Sequence, residues 1–181
     1  NVCYNVGLAF QRTALTQDYH RTSKDFTFHA RPTHPEGKRE VYVMVIGETS
    51  RALNWQLYGY ERETTPLLSR QTGLIAFPKV LTESNTTHKS VPMLMSGATA
   101  CNYDSIYHQK GIITAFKEAG FRTAFFSNQR YNHSFIDFFG MEADTYDFIK
   151  EDSVSSTYNP SDDELLKLVE EELANGDTKH N

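Results

Sequence analysis

The chain has 181 residues and a mass of 20.7 kDa, the usual size of one globular domain. Acidic residues outnumber basic ones by 23 to 18, and this net charge of −5 argues against a nucleic-acid partner, which would require a basic face. Hydrophobic residues make up 39% of the chain, which is enough for a core, yet the best apolar run covers only residues 42–46. A membrane-spanning helix needs about 20 such residues.

The first predicted elements are strands. Residues 1–39 have weak periodicity and a cluster of proline and glycine, so they are predicted to form an irregular lead-in. Residues 40–46 are β-branched or apolar at nearly every position, which is typical of a strand buried on both faces of a parallel sheet. A second strand is predicted over residues 74–81, where Pro78 indicates a bulge or an edge position.

Helices and strands alternate in the rest of the chain. Residues 106–119 form an amphipathic pattern that ends at Gly120, and residues 122–127 follow as a third predicted strand. Residues 161–164 form a capping-box sequence that opens a last helix. The apolar stripe of that helix consists of Leu165, Leu166, Val169 and Leu173. This order predicts an α/β fold with a mostly parallel sheet flanked by helices.

A carboxylate follows the first predicted strand. Chemistry in parallel sheets collects beyond the carboxyl ends of the strands, and Glu48 lies at that point. Gly47 before it allows a sharp turn of the backbone, so Glu48 is predicted to point into the crevice as an oxygen ligand for a metal. The alternative is that Glu48 is only a favourable charge at a helix N-terminus.

A hydroxyl-rich segment, residues 82–92, follows the second predicted strand. Pro92 favours the opening turn of a helix, which would place these hydroxyls at a helix N-terminus. Free N–H groups and the positive end of the helix dipole would there stabilise an alkoxide or a phosphate. The alternative is that Ser84, Thr86 or Thr87 is only an N-cap.

Together the two segments resemble the phosphoethanolamine transferases that modify lipid A, including the mobile colistin-resistance enzymes. The similarity lies in residues 45–52 and in residues 85–93, where a threonine precedes Ser-Val-Pro by three positions. It continues through Trp55, Leu57, Gly59, Tyr60, Arg62, Glu63, Thr64 and Pro66, and covers roughly residues 40–150. The resemblance implies an alkaline-phosphatase/sulfatase-like catalytic domain on the periplasmic face of the cell inner membrane.

The resemblance also implies a reaction. Glu48 would be a zinc ligand, and Thr87 would be both a zinc ligand and the nucleophile. Thr87 would carry phosphoethanolamine from a phosphatidylethanolamine-like phospholipid donor to lipid A or another envelope acceptor. Asn128 and Gln129, at the end of the third predicted strand, fall where the family places substrate-binding residues. For each of them a simple strand-to-loop turn is the alternative.

One departure from the family changes what is expected of the chain alone. The remaining zinc ligands of the family lie after a later strand and in an Asp-His-Gly-Glu motif, and this sequence has no Asp-His pair. Because catalytic zinc sites normally use three protein ligands, the chain alone is expected to be inactive. Residues 40–181 are expected to be the first half of a catalytic domain, truncated before the later motif. Residues 1–39 would follow a membrane region outside the chain.

Two other functions remain open. The first is a sulfatase-like or phosphodiesterase-like hydrolase of the same superfamily, although residues 90–94 lack the arginine of the sulfatase Cys/Ser-x-Pro-x-Arg signature. The second is a non-enzymatic module with flavodoxin-like topology. Glu48 disfavours it, because a carboxylate would repel a phosphate bound after the first strand.

Overall fold

The computed structural model describes residues 2–33, 39–150 and 160–177. Within these ranges the regular elements are helices, two strands and short 3₁₀ segments. The helices are α1 (Val2–Gln17), α2 (Tyr19–Thr22), α3 (Thr87–Met95), α4 (Ile112–Glu118), α5 (Phe135–Gly140) and α6 (Asp163–Asp177), and the strands are β1 (Ala124–Ser127) and β2 (Thr145–Phe148). The 3₁₀ segments are Ala52–Asn54, Gln56–Tyr58, Leu68–Arg70 and Ala100–His108. No helix among the described residues is long and apolar enough to cross a membrane.

Strands β1 and β2 form a small parallel sheet, with α5 in the crossover between them. The register pairs Ala124 with Thr145 and Ser127 with Phe148. Helix α6 packs against β1. The prediction of an α/β fold with a parallel sheet flanked by helices is confirmed, and so is the strand that was predicted to end at Ser127.

The helix before β1 is shorter than the periodicity predicted. Residues 106–119 divide into the end of a 3₁₀ segment and α4, with Gly111 between them. Gly111 is buried so closely that a Cβ there would lie 3.0 Å from the Cβ of Phe139. Gly120 ends α4 as predicted, because its φ of 87° places it in the left-handed region and its N–H donates to Lys117 O at 2.9 Å.

Helix α6 starts where the capping sequence predicted. The N–H of Glu164 donates to Ser161 O and the N–H of Leu165 donates to Asp162 O, each at 3.1 Å. The predicted apolar stripe is only partly covered: Leu165 and Val169 are half-buried, whereas the other two leucines of the stripe are exposed.

Two predicted strands are wrong. Residues 40–46 and 74–81 contain no strand, and their side chains are largely exposed, with Val45 at 87% and Leu81 at 95%. A strand forms only with a neighbouring strand that pairs its N–H and C=O groups. In the described part of the chain only β1 and β2 pair with each other. The apolar pattern therefore indicated strand propensity without indicating a partner.

The predicted irregular lead-in contains helices α1 and α2 instead. Helix α1 has no buried residue, and its signal in the sequence was weak because it has no acidic residue in its first turn and no basic residue in its last turn. Helix α2 is anchored by Tyr19, which is only 1% exposed. The sequence analysis also missed α5 and β2.

The core lies between α2, α3, α5 and the 3₁₀ segment Ala100–His108. Its buried members are Tyr19, Met93, Met95, Ala98, Ile106, Tyr107, Phe135, Phe138 and Phe139. The Tyr19 ring stacks on Phe138, and its hydroxyl donates to Gln109 O at 3.0 Å and to Glu142 Oε1 at 3.2 Å. Burial, together with the nearby Glu142 carboxylate, raises the pKa of Tyr19, so this hydroxyl stays protonated. Met93 and Met95 of α3 are buried in this core and hold the helix whose first residue is Thr87.

Candidate functional site

Helix α3 presents two threonines at its start. Thr86 is the N-cap, with extended backbone, and its carbonyl accepts the N–H of Ser90 at 2.9 Å. Its hydroxyl makes no capping bond and lies 3.3 Å from Ser84 Oγ. Thr87 is the first helical residue. Pro92 is inside α3 and not in its opening turn as predicted, because the helix begins five residues earlier.

The Thr87 hydroxyl donates a hydrogen bond to Glu48 Oε1, across 39 positions of sequence. Both residues are exposed. A hydrogen bond from a hydroxyl to a carboxylate is stronger than one between neutral groups, and it places an acceptor beside the threonine proton. The structure thus brings together the two residues in which the sequence analysis placed the metal and the nucleophile.

The backbone turn at Glu48 lies after the carboxylate. Thr49 has a φ of 54°, in the left-handed region that a β-branched residue rarely adopts. Gly47, where the sequence analysis placed the turn, is not among the glycines with positive φ. A non-glycine residue in this region costs about 1–2 kcal/mol. Strain of this kind concentrates at functional sites, and here it is next to the candidate metal ligand.

Gln129 contacts the other oxygen of the same carboxylate. Its Nε2 donates to Glu48 Oε2 at 2.9 Å. The turn after β1 that presents Gln129 is held by Ser127, whose buried hydroxyl oxygen accepts the Gln129 N–H at 3.1 Å. Sequence analysis assigned no role to Ser127 or Thr49. A serine two residues before a polar position at a strand end is the typical signal of such a turn.

Asn128 is directed elsewhere. Its Nδ2 donates to Pro160 O at 2.9 Å and to Asp162 Oδ1 at 2.8 Å, which joins the end of β1 to the start of α6. Its Oδ1 is buried and has no hydrogen-bond partner among the described residues. Of the four predicted site residues, the structure therefore joins Glu48, Thr87 and Gln129 by hydrogen bonds and directs the amide N–H groups of Asn128 away from them.

The described residues do not make a complete zinc site. Glu48 and Thr87 supply two oxygen donors, whereas catalytic zinc normally has three protein ligands. Residues 2–33, 39–150 and 160–177 contain no group of three or more histidine, cysteine, aspartate or glutamate side chains that could hold a metal ion. The pair fits part of such a site and not the whole of it.

Three relatives found by comparison with known sequences are all named as phosphoethanolamine or phosphatidylethanolamine transferases. Phosphoethanolamine transferase EptA of Escherichia coli (strain K12) is 33% identical over 87 residues, covering 47% of this chain and 16% of the relative. Phosphatidylethanolamine transferase Mcr-2 of Escherichia coli is 30% identical over 123 residues, covering 65% of this chain and 22% of the relative. Phosphoethanolamine transferase OpgE of Escherichia coli (strain K12) is 30% identical, covering 76% and 26%. The chain thus spans about a quarter or less of the length of these relatives.

Comparison of structures agrees. The C-terminal periplasmic domain of EcEptC from Escherichia coli, crystallised in complex with zinc, matches with a TM-score of 0.65 and 27% sequence identity, covering 71% of this chain and 38% of that domain. The chain therefore has a sulfatase-like fold and not the flavodoxin-like topology that the sequence left open. The sequence profile of the Sulfatase family matches residues 40–181, which is most of the chain. This protein therefore belongs to the Sulfatase family and is related to the phosphoethanolamine transferases within it.

Proposed function

We propose that the full-length protein transfers phosphoethanolamine from a phosphatidylethanolamine-like phospholipid to lipid A or another envelope acceptor, with Thr87 as the nucleophile. The observation that carries the proposal is the hydrogen bond from the Thr87 hydroxyl to Glu48 at the N-terminus of α3. The relatives named as phosphoethanolamine transferases and the resemblance to a periplasmic domain support it. The location that we propose for this activity is the periplasmic face of the cell inner membrane.

In the first step the Thr87 oxygen attacks the phosphorus of the donor, and the bond from phosphorus to the diacylglycerol oxygen breaks. In this proposal Glu48 Oε1, which accepts the Thr87 hydrogen bond, takes the threonine proton, and the proton then passes to the departing diacylglycerol oxygen. The free N–H groups at the start of α3 stabilise the phosphoryl oxygens. In the second step a hydroxyl or phosphate oxygen of the acceptor attacks the same phosphorus and displaces Thr87, which regains a proton.

Zinc is part of this proposal, held by Glu48 and Thr87 together with ligands outside the pair. Bound zinc lowers the pKa of a coordinated hydroxyl, which is the chemistry it would supply to Thr87. Asn128 is proposed as a substrate contact on the family resemblance alone, because its Nδ2 donates to Pro160 O and Asp162 Oδ1 and its Oδ1 is buried.

The experiment compares two adjacent threonines in the full-length protein. Thr87→Ala should abolish transfer, with a loss of several orders of magnitude because the covalent intermediate cannot form. Thr86→Ala should retain most activity, because the Thr86 hydroxyl makes no capping bond. The measurement is mass spectrometry of lipid A from expressing cells, with thermal unfolding to establish that both variants fold.

The same experiment tests the hydrolase alternative, which Sulfatase family membership favours. A hydrolase would release free phosphoethanolamine or phosphate into water and would leave the envelope acceptor unmodified. Adduct at the wild-type level from Thr87→Ala would remove Thr87 as the nucleophile and, with it, the proposed mechanism.

A further inference from the structure

We infer that Gln129 is a positioning residue that orients the Glu48 carboxylate toward Thr87, and not the substrate contact that the family resemblance implied. The inference rests on the proposed function, since it assigns Gln129 a part in the same reaction.

The two oxygens of Glu48 are bound by residues from different elements. Oε1 accepts from Thr87 at the start of α3, and Oε2 accepts from Gln129 after β1. A glutamate carboxylate with one unbound oxygen can rotate about the Cγ–Cδ bond and present either oxygen to a neighbour. With Gln129 on Oε2, that rotation is opposed and Oε1 remains on the Thr87 proton.

The backbone of Gln129 is held at the end of β1, and its exposed side chain reaches Glu48 from there. Its backbone N–H donates to the buried hydroxyl of Ser127, the last residue of β1, so the glutamine extends from a rigid strand end. One of its two side-chain N–H groups donates to the Glu48 carboxylate at 2.9 Å. A substrate phosphate that accepted this N–H would displace Glu48, and the orientation of the carboxylate would then be lost.

The first arm of the test measures the contact without any reaction. In the 181-residue chain, the side-chain amide protons of Gln129 should have NMR chemical shifts and solvent exchange rates that Glu48→Ala changes. Those of the exposed Gln71 should not change. Gln129 amide signals that are indifferent to Glu48→Ala would overturn the inference, whatever the activity of the full-length protein.

The second arm measures phosphoethanolamine adduct formation on Thr87 in the full-length protein. Gln129→Leu keeps the size of the side chain and removes the donor, so the rate at saturating donor should fall about 10- to 100-fold, as expected when a reacting group is misplaced. The donor KM should change by less than about twofold, because uniform substrate binding is not lost. Gln129→Glu, which sets a second carboxylate against Glu48, should be at least as impaired, and Gln71→Leu should match the wild type.

The outcomes separate the inference from the proposed function. A raised KM with unchanged kcat in Gln129→Leu would make Gln129 a substrate contact and overturn the inference while transfer stands. A wild-type protein that forms no adduct would overturn the proposed function, and the NMR arm would still decide whether Gln129 holds Glu48. Melting temperatures of the Gln129 variants establish that a loss of rate is not a loss of fold.

Discussion

Asn128 and Gln129 are adjacent in the chain, yet their side-chain amides bind different parts of the molecule. Asn128 donates to Pro160 O and Asp162 Oδ1 at the start of α6, whereas Gln129 donates to Glu48 Oε2 at 2.9 Å. The end of β1 therefore serves two purposes through two consecutive residues: it anchors a helix and it holds a carboxylate.

This division predicts a stability loss at Asn128. Asn128→Ala removes two hydrogen bonds, one of them to a carboxylate, and should lower the free energy of unfolding by about 1–2 kcal/mol. Asn54→Ala is the matched control, because Asn54 is exposed. Urea unfolding of both variants is the measurement. Equal stability of the two variants would show that the contact with α6 contributes nothing to the fold.

The second prediction concerns zinc. The 181-residue chain should bind zinc far more weakly than the ~10–16 kcal/mol of a complete structural zinc site, because Glu48 and Thr87 offer only two oxygen donors. Calorimetric titration at neutral pH tests this, with Glu63→Ala as a control for non-specific binding to an exposed carboxylate. Tight, stoichiometric binding that Glu48→Ala removes would mean that the chain completes the site itself.

The parts of the fold that the sequence predicted are those with local causes. Gly120 ends α4 because its own backbone conformation stops a helix, and the sequence of residues 161–164 places the start of α6 within two residues. Residues 40–46 were misassigned because strand formation depends on a partner elsewhere, which periodicity does not report. Helix α1 was missed because its apolar residues are spread around the helix and do not form one clear apolar face.

In the candidate site, too, the features that could be predicted are those with a local signal in the sequence. Glu48 and Thr87 were predicted from motifs, each motif being a short continuous run of sequence. The contact of Gln129 with Glu48 joins positions 81 residues apart and carries no local signal. The turn at Thr49 was also out of reach, because threonine is a residue for which a positive φ is not expected.

The third prediction is a pH dependence at Glu118. This carboxylate accepts hydrogen bonds from Ala30 N at 3.0 Å, Phe28 N at 3.0 Å and Thr27 Oγ1 at 2.8 Å. These bonds, led by that from Ala30, hold the pKa of Glu118 below its ordinary value of 4.5. A carboxylate with a lowered pKa in the folded state stabilises the fold above its unfolded-state pKa, and this stabilisation is lost as the pH falls through the folded-state pKa.

Glu118→Gln should therefore lower the melting temperature at pH 7, and the difference from the wild type should shrink as the pH is lowered below 4.5. Thermal unfolding between pH 3 and pH 7 measures it, with the exposed Glu170→Gln on α6 as the control. A difference that stays constant over this range would mean that the charge of Glu118 does not stabilise the segment that contains Thr27, Phe28 and Ala30.

The last prediction separates backbone strain from side-chain function at Thr49. Its φ of 54° is costly for a β-branched residue but is readily adopted by asparagine. Thr49→Asn should therefore raise the free energy of unfolding by about 0.5–1 kcal/mol. Thr72→Asn, at an exposed position without a positive φ, should leave it nearly unchanged.

Thr49→Gly distinguishes two opposing effects at the same position. Glycine removes the strain but adds conformational freedom to the unfolded chain, which costs about 0.5–1 kcal/mol, so its net effect on stability should be close to zero. Urea unfolding of the three variants is the measurement. If Thr49→Asn is no more stable than Thr72→Asn, the left-handed conformation is not a source of strain. If Thr49→Asn is more stable and Thr49→Gly is neutral, the backbone beside Glu48 is held in a conformation that threonine disfavours.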